Sequence, residues 1–374
     1  MKFYSEYHGK DDVVKKLAML KSLVEPTRQY RFMEFCGGHT HAFFRYGLHS
    51  LLPANIELIH GPGCPVCVLP AERISSIIHL MQNHPEIVLY SYGDLMRVPS
   101  ENRDSLLKAR ARGLDIRMVY NPLEILDFCH KEPDKLHVFF AIGFETTTPP
   151  TALLMLKARE NQLQNLLIYS NHVLTPPAAS ALLENQEEPL VLDGIIGPGH
   201  VCTITGPHSF DAVANDFKIP VAISGFFPID LIRALENLIL QTHARSYNVV
   251  NTYSRSVKSE GNILAQEAVA QTFTLRQAFA WRGLGEIQFS ALRISEQFSQ
   301  FDLEERFSLK HNKVEDHPKC LCPQILKGQK KPLDCTLFGK ACRPDNPMGA
   351  CMVSGEGSCA AYYTYKGPEQ EVLI

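Results

Sequence analysis

Residues 30–67 read YRFMEFCGGHTHAFFRYGLHSLLPANIELIHGPGCPVC, and a design that occurs twice within them decides the fold. Phe32–Phe35 and Ile56–Ile59 are short apolar runs, and each ends in a glycine-rich turn that carries cysteine. Short apolar runs bounded by Gly and Pro read as buried strands. The pattern recurs at Ile87–Ser91, Ile116–Tyr120, His137–Ile142, Leu166–Ser170, Leu192–Ile196 and Val221–Ser224. Helical patterns separate these runs, among them Ala71–Gln82, Ser105–Arg112, Thr151–Glu160 and Pro177–Asn185. Strands alternating with helices predict parallel sheets built from βαβ units.

The strand ends fall into two sets, FCGGHTH, HGPGCPVC and YSYGD, then AIGFETT, YSNH, GPGH and SGF. The expected fold is therefore α/β, with two similar parallel-sheet domains at 28–130 and 131–228. Sites in open α/β sheets form beyond the carboxyl ends of the strands, so these turns are expected to face a shared cleft. After Pro228 the sequence turns helical and then cysteine-rich. Residues 229–374, with 1–27 as a candidate addition, are expected to form a third, mostly helical domain.

A chain of 374 residues is long enough for two or three such domains. Its formal net charge of -3, from 37 basic and 40 acidic residues, carries no electrostatic footprint for nucleic acid. The segment MKFYSEYHGKDDVVKKL has no continuous apolar core, and no run of about 18 apolar residues follows, so neither a signal peptide nor a membrane span is expected. A cytoplasmic setting follows as an expectation. There, 11 cysteines point to metal binding or thiol redox work rather than structural disulfides.

Four motifs bear chemistry. In FCGGHTH, two glycines after Cys36 allow a sharp turn that leaves the thiol open, while His39 or His41 is a candidate ligand, base or thiolate-stabilising neighbour. The blander reading of Cys36 is a buried thiol beside a tight turn. In HGPGCPVC, Cys64 and Cys67 form a C-x-x-C at a helix start, where thiolate is favoured. No second C-x-x-C stands at zinc-finger spacing, so redox exchange is preferred to zinc. GFETTTPP puts Glu145 at a strand end, as an acid/base or as part of a helix cap, and GPGHV puts His200 at another. Finally, six cysteines lie in the tail: Cys320, Cys322, Cys335, Cys342, Cys351 and Cys359. Four gathered thiolates suit zinc or an iron–sulfur cluster, and wide irregular spacing favours the cluster. The chain has no G-x-x-x-x-G-K-[ST] phosphate loop.

FCGGHTH, GPGCPVCVLP, GFETTTP, GPGHV and CMVSGEGSCAAYY together resemble the HypD family of [NiFe]-hydrogenase maturation proteins, over residues 31 to 365. The resemblance implies two related α/β domains and a third that carries a [4Fe-4S] cluster. It also implies a redox-active assembly scaffold rather than a free-standing turnover enzyme. With a small HypC-type chaperone, such a scaffold holds a mononuclear iron on which two cyanides and one carbon monoxide are placed. A HypE-type protein delivers cyanide, and the product passes to the hydrogenase large-subunit precursor. Carried over by motif, Cys36 is the iron-proximal thiolate with His39 beside it, and Cys64 and Cys67 are the redox pair. The family spacing C-x14-C-x6-C-x16-C selects Cys320, Cys335, Cys342 and Cys359 as cluster ligands, leaving Cys322 and Cys351 as an adjacent dithiol. Cys202 departs from the family's usual serine, and it and Cys129 are expected to be structural. The competing readings are an iron–sulfur-dependent protein disulfide reductase, which has no need of Cys36 and its histidines, and a structural zinc protein.

Overall fold

The computed structural model describes residues 10–184 and 190–366. All eight expected strands form, as β1 Tyr30–Glu34, β2 Ile56–His60, β3 Ile87–Ser91, β4 Ile116–Met118, β5 Leu136–Gly143, β6 Leu166–His172, β7 Gly194–Pro198 and β8 Val221–Ser224. The strands β3, β5 and β6 are buried throughout, as expected where helices cover both faces of a parallel sheet. A further short strand, β9 Val249–Asn251, escapes sequence reading because its three residues are all half-buried and carry no apolar contrast. The expected helices form at Ala71–Asn83, Leu106–Ala111, Thr148–Glu160 and Thr175–Glu184, with Ser105 capping the second through its hydroxyl. Asn185, in the expected span of the last helix, lies outside the described residues.

The strands sort into two wholly parallel sheets, ordered β2-β1-β7-β8-β9 and β4-β3-β5-β6. Counted within each sheet, the orders run 2-1-3-4-5 and 2-1-3-4, so one four-strand design occurs twice, extended by a fifth strand in the first sheet. It does not divide the chain at residue 130, however. The strands of the first sheet come from residues 30–60 and 194–251, and the whole second sheet, 87–172, sits inside the connection between β2 and β7. The expected boundaries 28–130 and 131–228 are corrected accordingly. A parallel neighbour needs only a long crossover, and nothing in β1 or β7 announces that this crossover contains another sheet.

The expected independent helical domain at 229–374 is also corrected. The helix Pro228–Ala244 and β9 complete the first sheet. Helix Lys10–Leu23 packs on Pro228–Ala244, so both cover that sheet, through Leu17, Leu20, Leu231, Leu235 and Leu238 against Phe32 and Ile196. Helix Ile263–Thr272 and the two-stranded pair β10 Phe273–Leu275 and β13 Leu292–Ile294 lie on the second sheet. Within that pair runs a hairpin, β11 Ala278–Trp281 and β12 Gly285–Gln288. Residues beyond about 317 form a cysteine-rich segment of short helical turns, closed by helix Ser358–Lys366, and its apolar side chains join the core on one face of the second sheet. Among the described residues, no helix is long and apolar enough to cross a membrane.

Candidate functional site

In a sheet ordered 2-1-3-4, the connections leave β1 and its third neighbour in opposite directions, which opens a crevice at their carboxyl ends. In the first sheet those strands are β1 and β7, and the residues that follow them are Cys36 and His200. Cys36 is the N-cap of helix Gly37–Arg45. The turn after β2 closes directly against it, with Gly37 N–H donating to Gly63 O at 3.0 Å. A Cβ on Gly63 would stand 2.6 Å from the Cys36 Cα, so only glycine allows this approach. Those contacts explain why GPG and CGG occur as a pair.

Burial pushes the Cys36 thiol up to about 12, helped by the Glu356 carboxylate and opposed by the backbone N–H groups of Gly38 and His39. The helix start does favour thiolate here, but desolvation is the larger effect. His39 is fully buried; its Nε2 lies 3.2 Å from Ser224 O, and its Nδ1 has no partner among the described residues. Burial lowers its pKa to about 4, so it is neutral at pH 7 and supplies no positive charge to Cys36. His41 faces away, with Nε2 3.0 Å from the Tyr365 hydroxyl. Phe226 connects His39 and His200 by stacking on both, with ring centroids at 4.8 and 3.9 Å. The SGF turn shows its glycine and phenylalanine in the sequence, but nothing there shows that the ring bridges two histidines.

Cys64 and Cys67 are joined as a disulfide at the start of the one-turn helix Pro65–Val68. That helix leaves the first sheet and packs against β5 of the second, so the pair lies in the seam between the two. The Cys67 sulfur stands 3.9 Å from Ala350 O, beside Cys351. A second link is polar: Glu34 of β1 bonds His60 of β2, whose Nε2 lies 3.2 Å from the hydroxyl of Tyr362, one turn beyond Cys359.

The tail thiols gather next to this pair in one apolar cluster that contains Cys64, Cys67, Cys320, Cys322, Cys342, Cys351 and Cys359. Cys351 neighbours Cys322 and Cys359, and Cys320 neighbours Cys322, closely enough for each thiol to act on the other's ionisation. Cys335 is set apart: it is half-exposed, with its sulfur 3.8 Å from Lys319 O, the carbonyl before Cys320. Among the described residues, no three Cys, His, Asp or Glu side chains converge as a ready site for one metal ion. The cage nonetheless suits a thiolate-bound cluster. Its donors are all sulfur, and a Cβ on Gly349 would stand 2.5 and 2.6 Å from the Cys320 and Cys322 sulfurs, so the wall is glycine where the sulfurs crowd it. One buried guanidinium N–H, Arg282 Nη1, also lacks a partner at this cage.

Glu145 lies apart from these thiols. Its buried carboxylate accepts from Thr175 N at 2.8 Å and Thr175 Oγ1 at 2.9 Å, tying the end of β5 to the start of helix Thr175–Glu184. These bonds go to helix Thr175–Glu184 and not to helix Thr148–Glu160, the one that follows the motif in sequence. Cys129 and Cys202 are buried in separate apolar cores.

The sequence pattern of HypD, the hydrogenase formation hypA family, matches residues 12–366. Hydrogenase maturation factor HypD of Rhizobium leguminosarum bv. viciae is 50% identical over 369 residues, 98% of this chain and 96% of that protein. HypD2 of Bradyrhizobium diazoefficiens is 48% identical over 369 residues, 98% of this chain and 97% of that protein. HypD of Escherichia coli is 40% identical over 376 residues, 99% of this chain and 100% of that protein.

Proposed function

The chain belongs to the HypD family of hydrogenase maturation factors, and from that premise we propose that it is the scaffold on which an iron carrying cyanide and carbon monoxide is assembled. A small HypC-type chaperone completes the iron site, a HypE-type protein supplies cyanide, and the hydrogenase large-subunit precursor receives the product. The observation that carries this reading is the continuity of the thiols. Cys36 sits at the switch point, the Cys64 turn is hydrogen-bonded to its loop, and Cys67 touches the segment that bears Cys351.

The roles follow from these positions. Iron, as the substrate, takes the Cys36 sulfur as thiolate; soft sulfur suits ferrous iron with strong-field ligands better than carboxylate does. The half-buried Cys36 thiol must lose its proton to bind metal, so iron uptake is expected to strengthen as pH rises. Neutral His39, stacked on Phe226, shapes the wall of the crevice, and His200 lies at its rim. Cys320, Cys335, Cys342 and Cys359 would hold a [4Fe-4S] cluster, which when bound supplies single electrons. Cys322 and Cys351 form the dithiol next to the Cys64–Cys67 disulfide. Exchange between them forms one S–S bond as the other breaks, with the two electrons and the protons passing between the pairs.

The test uses Cys67→Ser in the full chain, purified anaerobically with its chaperone. Cyanide and carbonyl stretching bands should disappear from the infrared spectrum, while iron, sulfide and the cluster absorbance of the tail persist. Loss of the cluster together with the bands would sink the proposed division of labour. If the unaltered complex showed no such bands but turned over protein disulfides, the reductase reading would replace this one.

A further inference from the structure

Arg282 is an unexpected residue to find at the thiol cage. It sits at the tip of the β11–β12 hairpin, its side chain is only 8% exposed, and the sequence around it, WRGLG, carries no motif. The hairpin tip is wedged between the two redox segments. Arg282 N–H donates to Val68 O at 2.7 Å, just beyond Cys67, while a Cβ on Gly283 would stand 2.9 Å from the Cα of Pro323, just beyond Cys322.

The guanidinium is satisfied on one edge only. Nε and Nη2 both donate to Asp316 Oδ1, at 2.9 and 2.5 Å. Among the described residues Nη1 is buried without a hydrogen-bond partner, and the charge lies within electrostatic reach of Cys320, Cys322 and Cys351. An unpartnered buried N–H on a cation carries a desolvation penalty, and such groups in native proteins call for a reason. An ion pair made only to staple the hairpin would be complete with Asp316. A bound iron–sulfur cluster, by contrast, places net negative charge and hydrogen-bond-accepting sulfur in the cage, and both hydrogen bonds to sulfur and nearby charge set its potential.

We propose that Arg282 is a positioning and tuning residue for the tail cluster, with Nη1 donating to sulfur in the cage and its positive charge raising the cluster's reduction potential, while Asp316 holds the guanidinium in place. This rests on the cluster reading given above.

The experiment compares midpoint potentials of the reconstituted full-length chain, measured by a redox titration followed by electron paramagnetic resonance, alongside iron and sulfide content. Arg282→Met removes the cation and should shift the potential to more negative values. Arg282→Lys, which keeps charge without the fork, should fall between Arg282→Met and the unaltered chain. Asp316→Asn removes the opposing charge and should shift the potential the other way, to more positive values. A purely structural staple makes Arg282→Met and Asp316→Asn equivalent, so equal shifts of one sign, or none, would overturn the inference and leave the cluster intact. If Arg282→Met takes up no cluster, the direction found for Asp316→Asn decides alone. An unaltered chain that binds no iron and sulfide would overturn the cluster reading itself, and this inference with it.

Discussion

At the scale of single residues, environment rather than identity decides what each titratable group does. Cys36 and Cys351 are both cysteines beside partners, yet burial and Glu356 push the first up to about 12, while the neighbouring thiols of Cys322 and Cys359 pull the second below the usual thiol range. Glu145 gives the clearest pH consequence. Burial raises its carboxyl from the usual 4.5 to about 7, against the pull of its hydrogen bonds from Thr175. A folded-state value above the unfolded one means that its contribution is fully present below pH 4.5 and is lost as pH rises through 7. Replacing Glu145 with Gln should therefore flatten the fall in stability over that window, with a gain at pH 8 on the order of 3 kcal/mol. Urea midpoints measured between pH 4 and 8 read this directly, and a parallel fall in the variant would exclude Glu145 as its source.

At the scale of elements, the helix Pro228–Ala244 shows how one polar contact secures a covering layer. Asp230, with no exposed side-chain surface, receives both ends of the Arg255 guanidinium and the Phe227 N–H at 3.2 Å. The helix start is thereby fixed beside Gly225 and the Phe226 ring that separates His39 from His200. Removing one member of a buried pair leaves the other charge poorly compensated. Asp230→Ala should lower stability by about 3 kcal/mol, seen as a lower denaturation midpoint with an unchanged slope. Equal stability would show that the helix is held by its apolar face alone.

At the scale of the whole molecule, the inserted second sheet depends on chain that arrives much later. One face of it buries Val88, Tyr90, Phe139 and Ile168 against Phe273, Leu292, Ile294, Phe298 and Phe301. Arg73, behind the C-x-x-C turn, is bonded to Glu304, and Glu304 in turn to Arg276 and His311. A fragment of residues 84–184 should therefore melt without a cooperative transition in circular dichroism, and co-expression with residues 262–310 should restore one. Cooperative melting of the fragment alone would mean that the insertion is an autonomous domain.

The sequence alone determined the eight strands of the two sheets and the family. Apolar runs ending at glycine or proline mark eight strands, because a buried parallel strand must be apolar on both faces and must turn sharply where it emerges. Clustered cysteines mark the tail, and FCGGHTH, GPGCPVC and the tail motif identify the family. Only the tertiary structure decided which strands are neighbours, since parallel pairing is satisfied by any sufficiently long crossover and leaves no local trace. The same holds for contacts made by unremarkable residues from distant segments. Phe226 between two histidines, Glu356 over Gly37 and Arg282 at the thiol cage each owe their role to where the chain returns, which no spacing along it encodes.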